Sequence, residues 1–160
     1  MKPFAIILVV LVIAALAGLG WMFFSSRLDV SFESCAATDP LTQADVFSQL
    51  KESLENDTFI GTRYSTDPLS APENYIFYTW TVDLRNNSFL PADVIEMQIT
   101  PMSGDVLLIG DTAEHTLSPR TRGKLSATVL TARNSHSVRE AIVTWYIWGL
   151  PFSTRLTLGK

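Results

Sequence analysis

The longest apolar run of the chain extends from Pro3 to Phe24 and contains no charged residue. As an α-helix rising about 1.5 Å per residue, this run would measure roughly 33 Å, against about 30 Å of bilayer hydrocarbon. The run therefore predicts a transmembrane helix over about residues 3–24, within an anchor segment 1–26 that precedes one domain over residues 27–160. Lys2 lies before the run, which favours a cytoplasmic N-terminus and an extracytoplasmic domain.

A cleaved secretory signal is the alternative interpretation of the same segment. Ala15-Leu16-Ala17 has the small-x-small pattern of a cleavage site, and processing near Ala17 would produce a secreted domain. The apolar run continues past the usual length of a signal core, and it ends in the aromatic stretch from Trp21 to Phe24. These features favour an uncleaved signal-anchor, and both interpretations export the domain.

After the apolar run the hydrophobic pattern changes period twice. Leu28, Val30 and Phe32 alternate with polar residues, which is typical of a half-buried strand. The pattern then becomes helical over about residues 41–55, with helix-start chemistry at Asp39-Pro40. This is the one amphipathic helix that the sequence predicts for the domain.

The rest of the chain alternates with period two between turn signals, which predicts strands. The predicted strands are 58–64, 75–85, 95–99, 106–109, 124–133, 138–148 and 152–158, with Gly149 and Pro151 separating the last two. Many short strands divided by turns favour an antiparallel β-sandwich of the immunoglobulin-like kind. The predicted fold class is thus mainly β with one helix.

The strand at 138–148 is apolar on both faces, so one face requires a cover besides the opposing sheet. The helix at 41–55 is the economical cover. If the helix packs elsewhere, four aromatic residues would form an exposed patch of the type that contacts partners: Tyr75, Phe77, Tyr146 and Trp148.

One stretch of the sequence resembles known domains. The run from Tyr78 to Ser88, followed by Leu90-Pro91-Ala92 and the alternating strand to Ile99, resembles immunoglobulin-like and fibronectin-like accessory domains, including those similar to late-embryogenesis-abundant type 14 proteins. The later turn Leu117-Ser118-Pro119 is similar to their middle region. The resemblance implies adhesion, assembly or partner binding rather than chemistry.

Charge divides the chain into two parts. Residues 28–118 contain three basic and fifteen acidic residues, while residues 119–160 contain seven basic residues and one acidic residue. The basic part opens with three cations at alternate positions, Arg120, Arg122 and Lys124, which are a candidate surface for lipid headgroups, anionic polymers or an acidic partner. The other interpretation is that they neutralise acids from the first part of the chain.

The search for chemistry in the sequence predicts no catalytic, metal or cofactor site. His115 and His136 fall in predicted turns without ligand partners at metal-binding spacings, and Cys35 is the only cysteine. Dispersed acids such as Asp83, Asp93 and Asp105 leave a membrane-anchored hydrolase as the alternative function.

The leading functional hypothesis is a membrane-anchored, non-enzymatic accessory module. It would be held in the membrane by its N-terminal helix and would bind a protein partner in the cell envelope or in a membrane complex. Its candidate interaction patch combines the three alternate cations with the four aromatic residues: Arg120, Arg122, Lys124, Tyr75, Phe77, Tyr146 and Trp148. The sequence indicates no nucleic-acid partner and no small-molecule ligand.

Overall fold

A computed structural model describes residues 2–24, 27–110 and 115–159. Its helices are α1 (Lys2–Phe24) and α2 (Ala44–Glu55), and short 3-10 turns cover Pro40–Gln43 and Pro72–Asn74. Its strands are β1 (Leu28–Thr38), β2 (Thr62–Arg63), β3 (Tyr75–Asn86), β4 (Asp93–Ile99), β5 (Asp105–Gly110), β6 (Arg122–Ala132), β7 (Arg139–Ile147) and β8 (Leu150–Leu158).

The strands form two antiparallel sheets that pack face to face. One sheet has the order β1-β3-β6-β5-β2, and the other has the order β4-β7-β8. The predicted antiparallel sandwich is therefore confirmed, with one helix in the domain after the apolar N-terminal helix. The β7–β8 connection is a two-residue hairpin, the β3–β4, β4–β5 and β6–β7 connections cross between the sheets, and α2 lies between β1 and β2.

The main core lies between the two sheets, as the alternation predicts. Trp80, Val82 and Leu84 of β3 are almost completely buried and face Val143 and Trp145 of β7 across this core. The Trp80 indole nitrogen donates to the Ser137 carbonyl at 3.0 Å, so its polar atom is satisfied inside the core. This arrangement fixes which face of β3 turns inward.

A second, smaller core lies on the outer face of the five-stranded sheet. Phe77, Leu107 and Leu130 are neighbours across β3, β6 and β5, and Phe47 and Leu50 of α2 cover them. The prediction that α2 covers the strand at 138–148 was wrong, because the larger outward-facing apolar cluster is on the other sheet. On β7 the outward side chains of Ile142 and Tyr146 stay half-buried between flanking strands.

Two predicted boundaries differ from the structure for local reasons. The strand expected at 58–64 is reduced to Thr62–Arg63, beside Gly61, whose φ is +152° and where a Cβ would approach the Leu108 carbonyl oxygen to 2.5 Å. The break expected over Gly149–Pro151 is a two-residue turn, because Ile147 pairs directly with Leu150 and Pro151 lies within β8. An edge strand tolerates this proline.

The N-terminal helix α1 has the properties expected of a membrane span. Residues Pro3–Phe23 are long and apolar enough to cross a bilayer, and the most hydrophobic stretch is not buried against the domain. Only its last turn contacts the sandwich, where Met22 and Phe23 pack against the main core.

Candidate interaction surfaces at the two ends of the sandwich

The seven residues of the predicted interaction patch do not form one surface. Phe77 is buried beneath α2, and Tyr75 lies half-buried with its ring centroid 6.0 Å from that of Phe47. Tyr146 lies half-buried on the outer face of the three-stranded sheet. The aromatic patch is therefore divided among different environments, and only Trp148 of its members is exposed.

The three cations of the patch also have different surroundings. Lys124 forms an ion pair with Glu33 of β1, and this hydrogen bond raises the pKa of the Lys124 amine. Arg120 lies in the turn before β6 with its guanidinium carbon 4.3 Å from the centroid of the Phe89 ring. Lys124 is therefore neutralised by an acid from the first part of the chain, whereas Arg120 forms no ion pair within the described residues.

Arg120, Arg122 and Trp148 belong to one end of the sandwich, here named the proximal end because α1 enters there. It consists of residues 27–29, 85–94, 117–122 and 147–152. Phe23 of α1 stacks on Trp148 with ring centroids 6.1 Å apart, and its ring centroid lies 5.4 Å from that of Phe152. The last turn of the apolar helix is therefore in contact with the β7–β8 hairpin.

Large apolar side chains are exposed at the proximal end. Phe89 is 56% exposed, Trp148 is 56% exposed and Leu150 is 53% exposed. They come from the β3–β4 connection, which crosses between the two sheets, and from the β7–β8 hairpin of the three-stranded sheet. Sequence reasoning missed Phe89 and Leu150, although both lie next to a predicted turn.

A buried polar network fixes the loop that carries Phe89. The Asn86 amide nitrogen donates to the carbonyls of Leu90 at 2.8 Å and Leu117 at 3.0 Å, and its oxygen accepts from the Ser88 amide and hydroxyl. The Ser88 hydroxyl oxygen also lies 2.7 Å from the Leu90 carbonyl oxygen, so its single proton is shared between these two acceptors. The loop is therefore an ordered connection between β3, β4 and the segment before β6.

Three exposed residues of the proximal end adopt left-handed backbone conformations. The φ angles are +53° for Trp148, +61° for Arg120 and +48° for Val94. Asparagine or glycine is favoured at such positions, and other residues there cost roughly 1–2 kcal/mol. Trp148 and Gly149 form the two-residue turn where Asn-Gly is the common choice. Backbone strain of this kind is often found at functional sites.

Four arginines belong to the proximal end: Arg27, Arg85, Arg120 and Arg122. All four are exposed, and within the described ranges none of them forms an ion pair. Arg85 and Arg122 are directly opposite each other in the β3–β6 ladder, a like-charge arrangement that is unfavourable unless an anion is near. Asp29 of β1 is opposite Arg85 on the other strand that flanks β3, and its carboxylate accepts a hydrogen bond from Asn87.

The opposite end of the sandwich, here named the distal end, consists of residues 100–105, 133–139 and 157–159. Its arginines have partners. Arg139 is fully buried and donates to both carboxylate oxygens of Asp105, at 2.6 Å and 3.1 Å. It also donates to the carbonyls of His136 and Val138. Because Asp105 is on β5 and Arg139 is on β7, this pair joins the two sheets.

The other distal arginine is satisfied at the surface. Arg133 donates to the Asp39 carboxylate at 2.8 Å and to the Glu73 carbonyl at 2.6 Å. Asp39 also accepts from the Leu41 amide at 3.0 Å at the start of the helical segment, and the pKa of its carboxyl is lowered, first by this amide and then by Arg133. The contact links the α2 region to the β6–β7 connection.

A cavity of about 540 Å³ opens at the distal end. Its lining residues are Thr100, Met102, His136, Val138, Arg139, Glu140 and Thr157. Met102 is 49% exposed and Val138 is 44% exposed at its rim, above the buried arginine.

The three acids of the hydrolase alternative do not converge. Asp83 pairs with Lys124 and Asp105 with Thr131 along the same partner strand β6, a separation of roughly 23 Å at 3.3 Å per residue. Asp93 lies on the other sheet, opposite Tyr146. Within the described residues, no three His, Cys, Asp or Glu side chains are placed to hold a metal ion.

The single cysteine lies in a cleft between the edge strand β1 and the end of β8. Phe32, Tyr78 and Gly159 also line this cleft. Cys35 is half-buried, and burial raises the pKa of its thiol, which opposes formation of the reactive thiolate. The position agrees with a packing role.

Comparison with known proteins gives fold-level likeness. No family model matches the chain, and no curated protein matches it. Among solved structures it is similar to the GAE domain of yeast GGA1 (11% identity, 56% of this chain and 93% of that one, TM-score 0.39). It is also similar to a FixG-related protein from Vibrio parahaemolyticus (6% identity, 83% and 94% covered, TM-score 0.39).

A third similar structure is an uncharacterised β-sandwich protein from Clostridium difficile 630 (9% identity, 81% and 85% covered, TM-score 0.31). The two antiparallel sheets of this chain themselves show a β-sandwich domain preceded by an apolar helix.

Proposed function

We propose that this chain is a membrane-anchored accessory module whose β-sandwich binds a protein partner outside the cytoplasm. The observation that carries the proposal is α1. Its apolar surface is not covered by the domain, while its last turn packs on the sandwich through Phe23. A helix that is apolar on all sides requires an apolar surrounding, and a bilayer supplies it.

The proposed orientation has the N-terminus in the cytoplasm and the domain outside, because Lys2 lies before the span. Processing near Ala17 would instead release the domain. Mass measurement of the chain recovered from the membrane fraction and from the soluble extracytoplasmic fraction distinguishes the two, since cleavage removes about the first 17 residues.

The distal cavity is the surface we assign to the protein partner. It lies at the end opposite α1, it has an apolar rim formed by Met102 and Val138, and the buried Arg139–Asp105 pair beneath it keeps that rim in a fixed arrangement. Concave apolar surfaces with a few polar groups are typical binding sites.

Site-specific photo-crosslinking tests this assignment. A photoreactive residue replaces Val138 in the full chain, and the matched control replaces Val46, which is 49% exposed on α2. We expect one discrete protein adduct from position 138 in native membranes and none from position 46. The adduct should persist when residues 1–24 are exchanged for an unrelated membrane anchor.

Equal labelling at the two positions, or no adduct at either, would contradict partner binding at the distal cavity. An adduct that disappears with the exchanged anchor would place recognition in α1 instead.

A further inference from the structure

We propose that the proximal end of the sandwich rests on an anionic lipid bilayer. In this arrangement Phe89, Trp148 and Leu150 enter the interfacial region, while the arginines beside them bind lipid headgroups. The inference rests on the proposed membrane anchoring by α1 and deepens it, because it assigns a lipid contact to the folded domain itself.

The connection to α1 keeps this end near the membrane. The helix ends at Phe24 and β1 begins at Leu28, so the backbone between them spans at most about 14 Å. Phe23 also packs against Trp148 and Phe152, which joins the last turn of the helix to the β7–β8 hairpin. The proximal end therefore lies at the depth where the helix leaves the hydrocarbon.

The exposed side chains of this end have the chemistry of the interface. Trp148 continues the aromatic group that starts at Trp21, which is 68% exposed in the last turns of α1. Tryptophan is enriched at membrane–water interfaces because its ring is amphipathic. Phe89 and Leu150 add apolar area from a second loop and from the hairpin, and these residues have no cover within the described domain.

The charges of this end fit anionic headgroups. The proximal end has four arginines against two acids, Asp29 and Asp93, and among the described residues these arginines have no carboxylate partner. Arg120 lies over Phe89, so the aromatic ring and a cation occupy the same point of the surface. At the distal end, by contrast, Arg133 and Arg139 both have acidic partners.

Spin-label accessibility tests the proposal in the full chain. In a Cys35→Ser background, a label is attached at Leu150→Cys and, as the matched control, at Met102→Cys of the distal end; the native side chains are 53% and 49% exposed. The chain is reconstituted into vesicles of phosphatidylcholine alone or of equal phosphatidylcholine and phosphatidylglycerol. Collision of each label with oxygen and with a water-soluble nickel chelate is then measured.

We expect the label at position 150 to favour oxygen in the mixed vesicles and the label at position 102 to favour the nickel chelate. Nickel-chelate preference at both positions would overturn the proposal. Protection of position 150 from both reagents would also overturn it, because this result indicates contact with protein, for example with a second copy of the chain.

Flotation of the same samples distinguishes failure of the proposed membrane anchoring from failure of the proposed lipid contact. A chain that fails to float with the vesicles contradicts the proposed membrane anchoring. A chain that floats while position 150 remains in water contradicts only the lipid contact of the domain.

Replacement of proximal arginines by glutamine tests whether they bind lipid headgroups. The variant Arg120→Gln/Arg122→Gln should lower the ratio of docked to undocked domain about fivefold for each arginine in the mixed vesicles. The matched control Lys51→Gln/Arg155→Gln removes equal charge from exposed positions outside the proximal end and should leave the ratio unchanged. Equal effects of the two variants would overturn headgroup binding by the proximal arginines.

Discussion

Arginine residues have opposite environments at the two ends of the sandwich. At the distal end Arg139 is fully buried with Asp105, and Arg133 binds Asp39. At the proximal end Arg27, Arg85, Arg120 and Arg122 are exposed without acidic partners among the described residues. Paired arginines join elements of this fold, whereas the four proximal arginines form no ion pair within the described residues, and one of them, Arg120, lies over the exposed Phe89 ring.

The ends also differ in backbone conformation. Trp148, Arg120 and Val94 of the proximal end have positive φ, while Gly104 and Gly159 occupy the positive-φ positions of the distal end. The proximal end also has a glycine at positive φ, Gly149, but unlike the distal end it places three non-glycine residues in that region. Of the two ends, the proximal end therefore has the greater backbone strain.

Replacement of Arg139 should have the largest effect on stability. Arg139→Met leaves the Asp105 carboxylate buried without its partner, and we expect the free energy of unfolding to fall by about 3–5 kcal/mol. The proximal control Arg122→Met should change it by no more than about 0.5 kcal/mol. Urea unfolding in detergent micelles, followed by tryptophan fluorescence, measures both.

The double variant Arg139→Met/Asp105→Leu should regain much of this loss, because it removes both buried charges. A loss as large as that of the single variant would show that packing, and not the ion pair, accounts for the effect.

The buried amide of the proximal loop should have the next largest effect. Asn86→Ala leaves the carbonyls of Leu90 and Leu117 without their donor, and we expect a loss of about 1–3 kcal/mol in the free energy of unfolding. Asn87→Ala, an exposed neighbour, is the matched control and should remain within about 0.5 kcal/mol of the native chain. Similar losses in the two variants would contradict a structural role for the Asn86 network.

Two substitutions of Trp148 separate backbone strain from the ring contact. Trp148→Ala and Trp148→Asn both remove the stacking on Phe23, but asparagine tolerates the left-handed conformation better. We expect the Asn variant to unfold with a free energy about 1 kcal/mol higher than the Ala variant. Their lipid contact, measured with the label at position 150, should decrease equally.

A higher stability of the Ala variant would contradict the strained turn. A difference between the two variants in lipid contact would show that the ring is not the contacting group.

The smallest expected effect concerns acid pH at the distal end. The pKa of the Asp39 carboxyl is lowered by the Leu41 amide and by Arg133, so its folded-state pKa lies below the unfolded value of about 3.9. Its contribution to stability is present above that unfolded value and is lost as pH falls through the folded-state pKa. Asp39→Asn retains the helix-start acceptor but removes the titrating charge.

Urea midpoints measured between pH 6 and pH 2 test this effect. We expect the midpoint of the native chain to fall slightly more steeply in acid than that of Asp39→Asn. Parallel curves would indicate that the Arg133 contact contributes no measurable stability.

The sequence predicted the main elements well because their patterns are local. The alternation from Tyr75 to Arg85 predicted β3, which extends one residue further to Asn86. The turn at 149 was misplaced because Trp148-Gly149 is an uncommon sequence for a two-residue hairpin turn. Of the seven candidate patch residues, Phe77 is buried and Tyr75 and Tyr146 are half-buried, and the exposed Phe89 and Leu150 were not among the seven.

The sequence alone determined the apolar helix and the sandwich. An uncharged apolar run of sufficient length predicts the helix, and repeated period-two alternation predicts the strands. Both patterns involve residues close together in the chain, so both can be recognised from the sequence alone. The sequence also showed that the strand at 138–148 is hydrophobic on both faces, but it did not predict which element covers them.

Only the tertiary structure decided which charges are paired and which remain open. Asp105 and Arg139 are 34 residues apart and meet because β5 and β7 belong to opposing sheets. The proximal end draws its residues from four separate chain segments, and the apolar surface of β3, β5 and β6 determined where α2 packs. Such relations depend on register and on sheet order, which are global properties of the fold.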